Sequence, residues 1–159
     1  MSDVLQQQYS LIRSTRESLF TFLEGIPLRD LHTTLPNFGS GSIIKTHIHA
    51  ADCYQYWLSS FVFQQKRRDA TDREIEQSDV AAVRARFDLV DQLVQRFMDK
   101  FDSRWFESVE VSWQQEPWST TPLWLLTHTE THEFHHKGQI VAMARHLGYT
   151  PPDTDLRAN

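Results

Sequence analysis

Thr121-Pro122-Leu123-Trp124-Leu125-Leu126-Thr127-His128 opens a run that continues through Thr131-His132-Glu133-Phe134-His135-His136 to Arg145-His146-Leu147-Gly148. Thr120 or Thr121 caps a helix here, and Pro122 takes the first helical position, where no backbone N–H is needed. Gly148 ends it near Leu147, and Pro151-Pro152 prevents continuation. On a helical wheel centred on His132, Leu125, His136, Met143 and Leu147 fall within about 60°. His132 and His136 therefore sit one turn apart in the stripe expected to face the core. Two basic rings in an apolar seam need a reason, and the best one available is a shared metal ion.

Working outward, the same 3.6-residue periodicity recurs three more times. From about Val4 to Leu23 the apolar positions are Leu5, Tyr9, Ile12, Leu19, Phe20 and Leu23. Gly25, Pro27, Pro36, Gly39 and Gly41 then punctuate a loop. Ser42 caps a second helix predicted to run to about Gln65, rich in aromatic residues. Lys66 to Asp79 reads as a charged connection that can hold a short helix. A third helix spans about Val80 to Phe101, with Val83, Phe87, Val90, Leu93, Val94, Phe97 and Met98 as its stripe. Between Trp105 and Trp118, Val109, Val111 and Trp113 alternate with polar residues, which predicts a short irregular or strand-like excursion between helices three and four. The fold class expected is all-α, a four-helix bundle forming one domain over residues 1–159, with roughly the last ten residues a proline-containing tail.

Two histidines from one helix hold a metal poorly, and an open catalytic site generally takes three protein ligands. His128 continues the series, but about 12 Å of rise separates it from His136, so one ion cannot take all three. His128 is the substitute if the pair is wrong, and His135 points toward the rim. The second helix offers His47 and His49, which point about 160° apart. The companions of His47 (Ile43, Tyr54, Leu58, Phe61) look like core. Those of His49 (Thr46, Cys53, Tyr56, Ser60, with Trp57 flanking) look like a pocket wall, which makes His49 the better candidate. Cys53, one turn beyond, stays open as a fourth, softer ligand.

Composition bounds the partners. The 159 residues are 40% hydrophobic and 12% aromatic with a formal charge of −5, a globular profile that argues against nucleic acid or an anionic membrane. No apolar run reaches the ~20 residues that span a bilayer. The opening Met1-Ser2-Asp3-Val4 lacks signal-peptide character, and the single Cys53 excludes an internal disulfide framework, so a cytoplasmic location is expected.

The run Ser42-Ile43 … His49-Ala50-Ala51-Asp52-Cys53-Tyr54-Gln55-Tyr56-Trp57-Leu58 resembles the second helix of the DinB/YfiT-like superfamily, where a metal-binding His precedes an Ala-Asp-x-Tyr-x-x-Trp-Leu type stretch. Thr131-His132-Glu133-Phe134-His135-His136-Lys137-Gly138-Gln139-Ile140 is similar to that family's last helix. The resemblance covers essentially the whole chain. It implies a divalent-metal triad of His49, His132 and His136 and a homodimer formed through helix packing; zinc and nickel are the ions that suit imidazole ligands. Relatives include thiol S-transferases that use bacillithiol or mycothiol, isomerases that use a thiol cofactor, and members without an assigned reaction. The expected function is thus a metal-dependent enzyme of thiol S-transferase or hydrolase type acting on a small molecule, with a low-molecular-weight thiol as a second cofactor.

An open three-His ion would either acidify a bound water or hold a thiol as thiolate. Tyr56, Trp57, Gln139 and Met143 share wheel sectors with the ligands and are the expected pocket lining. Glu133, about 100° from His132, is poorly placed to orient a ligand ring. Two rival readings remain. One is a non-enzymatic metal- or ligand-binding bundle, which Cys53 would favour by closing the coordination shell. The other takes His132-Glu133-x-x-His136 as a zinc peptidase motif, with Glu133 as base. The peptidase reading lacks a third ligand at usable spacing and a strand to shape a peptide cleft.

Overall fold

A computed structural model describes residues 2–38, 40–66, 68–113 and 116–156. Met1, Gly39 of the punctuated loop, Arg67 of the charged connection, Gln114 and Gln115 of the excursion, and tail residues 157–159 lie outside it. The chain is mostly helical with a small two-stranded sheet. In order, α1 spans Ser2–Glu24, α2 Leu28–Leu31, α3 Ile43–Tyr54, α4 Asp72–Glu76, α5 Val80–Lys100, β1 Val109–Trp113, β2 Glu116–Thr120 and α6 Pro122–His146. The helix ends follow their capping chemistry. Ser42 accepts from Lys45 N at 3.3 Å and Thr121 from Trp124 N at 3.2 Å, each cap typically worth about 1 kcal/mol. Gly148 closes α6 at φ +90°, with Tyr149 N reaching back to Ala144 O at 3.0 Å.

Two details depart from expectation, and the strand-like excursion takes a definite form. The second helix is α-helical only to Tyr54, and Gln55–Ser60 then winds as a π-helix, the rare wider turn that is frequent at functional sites. Gln64 at φ 53° takes the chain out of helix. The excursion is an antiparallel β-hairpin that pairs Val109 with Thr120 and Val111 with Trp118. A single helical turn, α2, follows Pro27.

Helix α3 packs against α6 on one side and α5 on the other, and α1 closes on α5 and α6. Helix α6 is buried on more than its apolar stripe: Glu130, Glu133 and Lys137 are buried as fully as many of its aliphatic neighbours. Glu133 explains why. Its carboxylate accepts from Arg16 Nε and Nη2 at 2.7 and 3.0 Å and from Tyr54 OH at 2.7 Å. Arg16 also donates to Asp91 at 2.7 Å, and Tyr9 OH donates to the same carboxylate at 2.6 Å. Burial, together with the adjoining Glu133 charge, holds the Tyr54 phenol well above its ordinary pKa, so it stays a donor. One ionic network thus ties α1, α3, α5 and α6 together behind the histidine face. Lys137 donates to Thr154 O, and Tyr149 OH to Asp30 at 2.5 Å, which fastens the tail against the helices.

Candidate metal centre

The α3–α6 seam sets the site. His49 lies on α3 and His132 and His136 on successive turns of α6, and their ligand atoms come within 4.8 Å of one another. His132 Nε2 stands 2.9 Å from His136 Nε2 and 3.4 Å from His49 Nε2. Bonds of about 2.0–2.1 Å to one zinc-like ion separate ligand nitrogens by about 3.0 Å at a right angle and about 3.4 Å in a tetrahedron. Both observed separations match such an ion, so the three imidazoles could hold a single divalent cation. His136 is buried, His132 half-buried and His49 exposed. The pair on α6 thus lies where the apolar seam opens onto a cavity, and not within a closed core.

Orientation comes from Gln139. Its Oε1 accepts from His136 Nδ1–H at 2.8 Å, which leaves the lone pair of His136 on Nε2, facing the other two rings. The amide Nε2 of Gln139 in turn donates to His135 Nε2 at 3.1 Å. Burial, followed by the neighbouring imidazoles, lowers His132 to about 4, and burial is likewise the main cause lowering His136. Both rings are neutral at physiological pH, the form that binds metal.

A cavity of about 1070 Å³ opens beside this cluster. His49, His132, Tyr56, Trp57, Trp118 and Trp124 form part of its wall. The aromatic side is tightly interlocked: Trp118 and Trp124 ring centres lie 4.7 Å apart, and Trp57 and Trp124 5.6 Å. Asp52, Asp69, Glu116 and Lys45 supply its charged groups. Asp52 accepts from Ala70 N and from Arg86, each at 3.2 Å, so it anchors the 69–70 loop as the cavity's lip.

Of the residues expected to line a pocket, Tyr56 and Trp57 do so. Gln139 instead sits behind His136 as its hydrogen-bond partner, and Met143 is fully buried in the seam, 3.9 Å from Thr46 Oγ1. The spacing from His136 to Gln139, i to i+3 on one helix face, is the signal that would have assigned Gln139 this role. His47 lies in the core, its ring 4.7 Å from Phe20 and 5.1 Å from Phe87, as its companions implied. Cys53 and His128 stand beside the triad on the cavity side, their ligand atoms grouped with His132 within 4.8 Å. Glu133 faces away into the Arg16 network, so the peptidase reading loses its base: a carboxylate already held by a guanidinium and a phenol in the interior cannot take a proton from an attacking water in this cavity.

The DinB family pattern matches residues 1–159. The chain belongs to the DinB family, and its histidine cluster could hold a metal ion as that family's members do. No curated protein matches the chain. Among the described residues no helix is long and apolar enough to cross a membrane.

Proposed function

We propose that this protein is a divalent-metal-dependent enzyme of thiol S-transferase or hydrolase type, with His49, His132 and His136 as an open three-ligand site. The observation that carries the reading is the convergence of three imidazoles, His132 and His136 with Nε2 atoms 2.9 Å apart, beside a cavity of about 1070 Å³ that His49 and His132 line. That volume is at the upper end for small-molecule sites, about 300–1,000 Å³, and leaves room for two reactants together. Zinc and nickel both suit an all-imidazole set, and abundance favours zinc. A bound cation would supply Lewis acidity, activating a thiol or a water for attack.

The chain's own residues supply binding and orientation. Gln139 fixes the His136 tautomer. Trp57, Trp118, Trp124 and Tyr56 offer apolar faces to the organic part of a substrate and exclude water around the reacting atoms. Lys45, at the mouth, offers a cation to an anionic thiol cofactor or substrate group. In this reading residues 1–159 are one DinB-type four-helix bundle built from α1, α3, α5 and α6, working as a cytoplasmic homodimer.

The test is a thiol-consumption assay. Zinc- or nickel-loaded protein is incubated with an electrophilic acceptor and a panel of low-molecular-weight thiols, beside an ester and amide hydrolysis panel. Metal-dependent turnover that disappears in His49→Ala is expected. Stoichiometric metal with no turnover on either panel would favour the second reading, a metal- or ligand-binding helical module without catalysis. Cys53, whose Sγ lies within 4.8 Å of a ligand atom of His132, is the observation that keeps this second reading in view.

A further inference from the structure

Cys53 follows His49 by one turn on α3, and His128 precedes His132 by one turn on α6. Because the two helices run antiparallel across the seam, these displacements carry both residues in the same direction. Cys53, His128 and His132 consequently form a second group with ligand atoms within 4.8 Å of one another, a copy of the triad slid one turn toward the aromatic wall. All three line the cavity, whereas the triad's His136 lies behind it. The His128 ring is held in place: it stacks on Trp124 at 4.8 Å and 12° and meets the edge of Trp57 at 4.5 Å.

We infer that Cys53, His128 and His132 form a second, softer metal site, which takes thiophilic cations such as cadmium or cuprous copper and excludes occupancy of the histidine triad. Three physical points support it. A tetrahedral zinc-type ion holds sulfur and nitrogen ligands about 3.6 Å apart, a separation that small side-chain rotations reach from the observed grouping. Replacing one imidazole by a thiolate converts a borderline ligand set into a soft one. Exclusivity follows from His132, which both groups require. A neutral imidazole has one lone pair, so it serves one cation at a time. Binding at this position releases the Cys53 thiol proton to solvent. The chain therefore carries one ion in either of two places one turn apart, chosen by the softness of the metal.

The experiment titrates metal-free full-length protein with cadmium and follows thiolate-to-metal charge-transfer absorption in the ultraviolet. Nickel binding is followed separately, and folding of each variant by circular dichroism. The wild type is expected to bind about one cadmium per chain with a thiolate band. Cys53→Ser should lose the band and at least about tenfold in cadmium affinity while retaining nickel, and His128→Gln should weaken cadmium by a similar factor. Cys53→Ala replaces the serine variant if the buried hydroxyl unfolds the chain. His49→Ala should keep the band, and one equivalent of nickel should suppress it in the wild type but not in His49→Ala. No thiolate band in the wild type, a band indifferent to His128→Gln, or a band lost in His49→Ala overturns the inference, the last by making Cys53 a fourth ligand of the triad. A cadmium band in a protein that takes no nickel would sink the triad and leave this site standing.

Discussion

His136 Nδ1 and Gln139 Oε1 lie 2.8 Å apart, and this hydrogen bond decides which nitrogen of His136 meets the other two imidazoles. With the proton held on Nδ1, the Nε2 lone pair points at His132 Nε2, 2.9 Å away. The ring is prepared as a ligand before any ion arrives.

Gln139→Leu should therefore weaken metal binding about 10- to 100-fold, the usual effect of losing a residue that orients a ligand ring. Secondary structure should be unchanged. Competition with a chromophoric chelator measures this, and an affinity equal to wild type would show that the hydrogen bond does not organise the site.

Glu133→Gln should be a stability variant. It removes the charge facing Arg16, whose Nε sits 2.7 Å away in the interior, and breaking one side of a buried ion pair typically costs about 3–5 kcal/mol. Urea denaturation should show a loss of that order, with metal stoichiometry intact. Unchanged stability together with abolished turnover would restore Glu133 as a catalytic base.

His47 makes the protein acid-sensitive. Burial, and secondarily Arg16, lowers it from 6.5 to about 3. Between those values the unfolded chain binds a proton that the folded chain refuses, so stability falls as pH drops from 6.5 toward 3, by up to about 1.4 kcal/mol per pH unit for this one ring. His47→Phe keeps a ring between Phe20 and Phe87 and should flatten the acid limb of a stability–pH curve. An unaltered slope would rule His47 out as its source.

Glu130 acts in the opposite sense. Burial, reinforced by Glu133, raises it from 4.5 to about 7. Its Oε2 accepts from Gln8 at 2.9 Å, while among the described residues its buried Oε1 has no hydrogen-bond partner. The folded state favours the protonated acid, so this contribution is complete below pH 4.5 and is lost as pH rises through 7. Glu130→Gln should stabilise the protein at pH 8, on the order of 2 kcal/mol, and change little at pH 4. Equal effects at both pH values would contradict the assignment.

The long helices were legible because Ser42, Thr121, Pro122 and Gly148 are local signals that act within a turn of themselves. The choice of His49 over His47 was legible for a related reason: the two rings point in opposite directions, and their i±3 and i±4 companions differ in character. Arg16, Glu130 and Glu133 were not, because an apolar-periodicity reading assigns charged residues to solvent, and their pairing partners are 75 or more positions away in the chain or on other helices. The π-helical turn at Gln55–Ser60 escaped for a different reason. Its aromatic spacing is that of an ordinary α-helix, and the segment packs against α5 and α6, contacts that exist only in the assembled chain.

The central claim, a cross-helix triad, is tested most directly by metal content. Untagged wild-type protein, His49→Ala and His132→Ala are purified in parallel and measured by plasma mass spectrometry. The triad predicts that nickel-loaded wild type carries about one nickel per chain and that both variants lose it with the fold retained. Wild-type protein that carries no metal and takes up none on titration, or a His49→Ala variant that keeps a full equivalent of nickel, would contradict it.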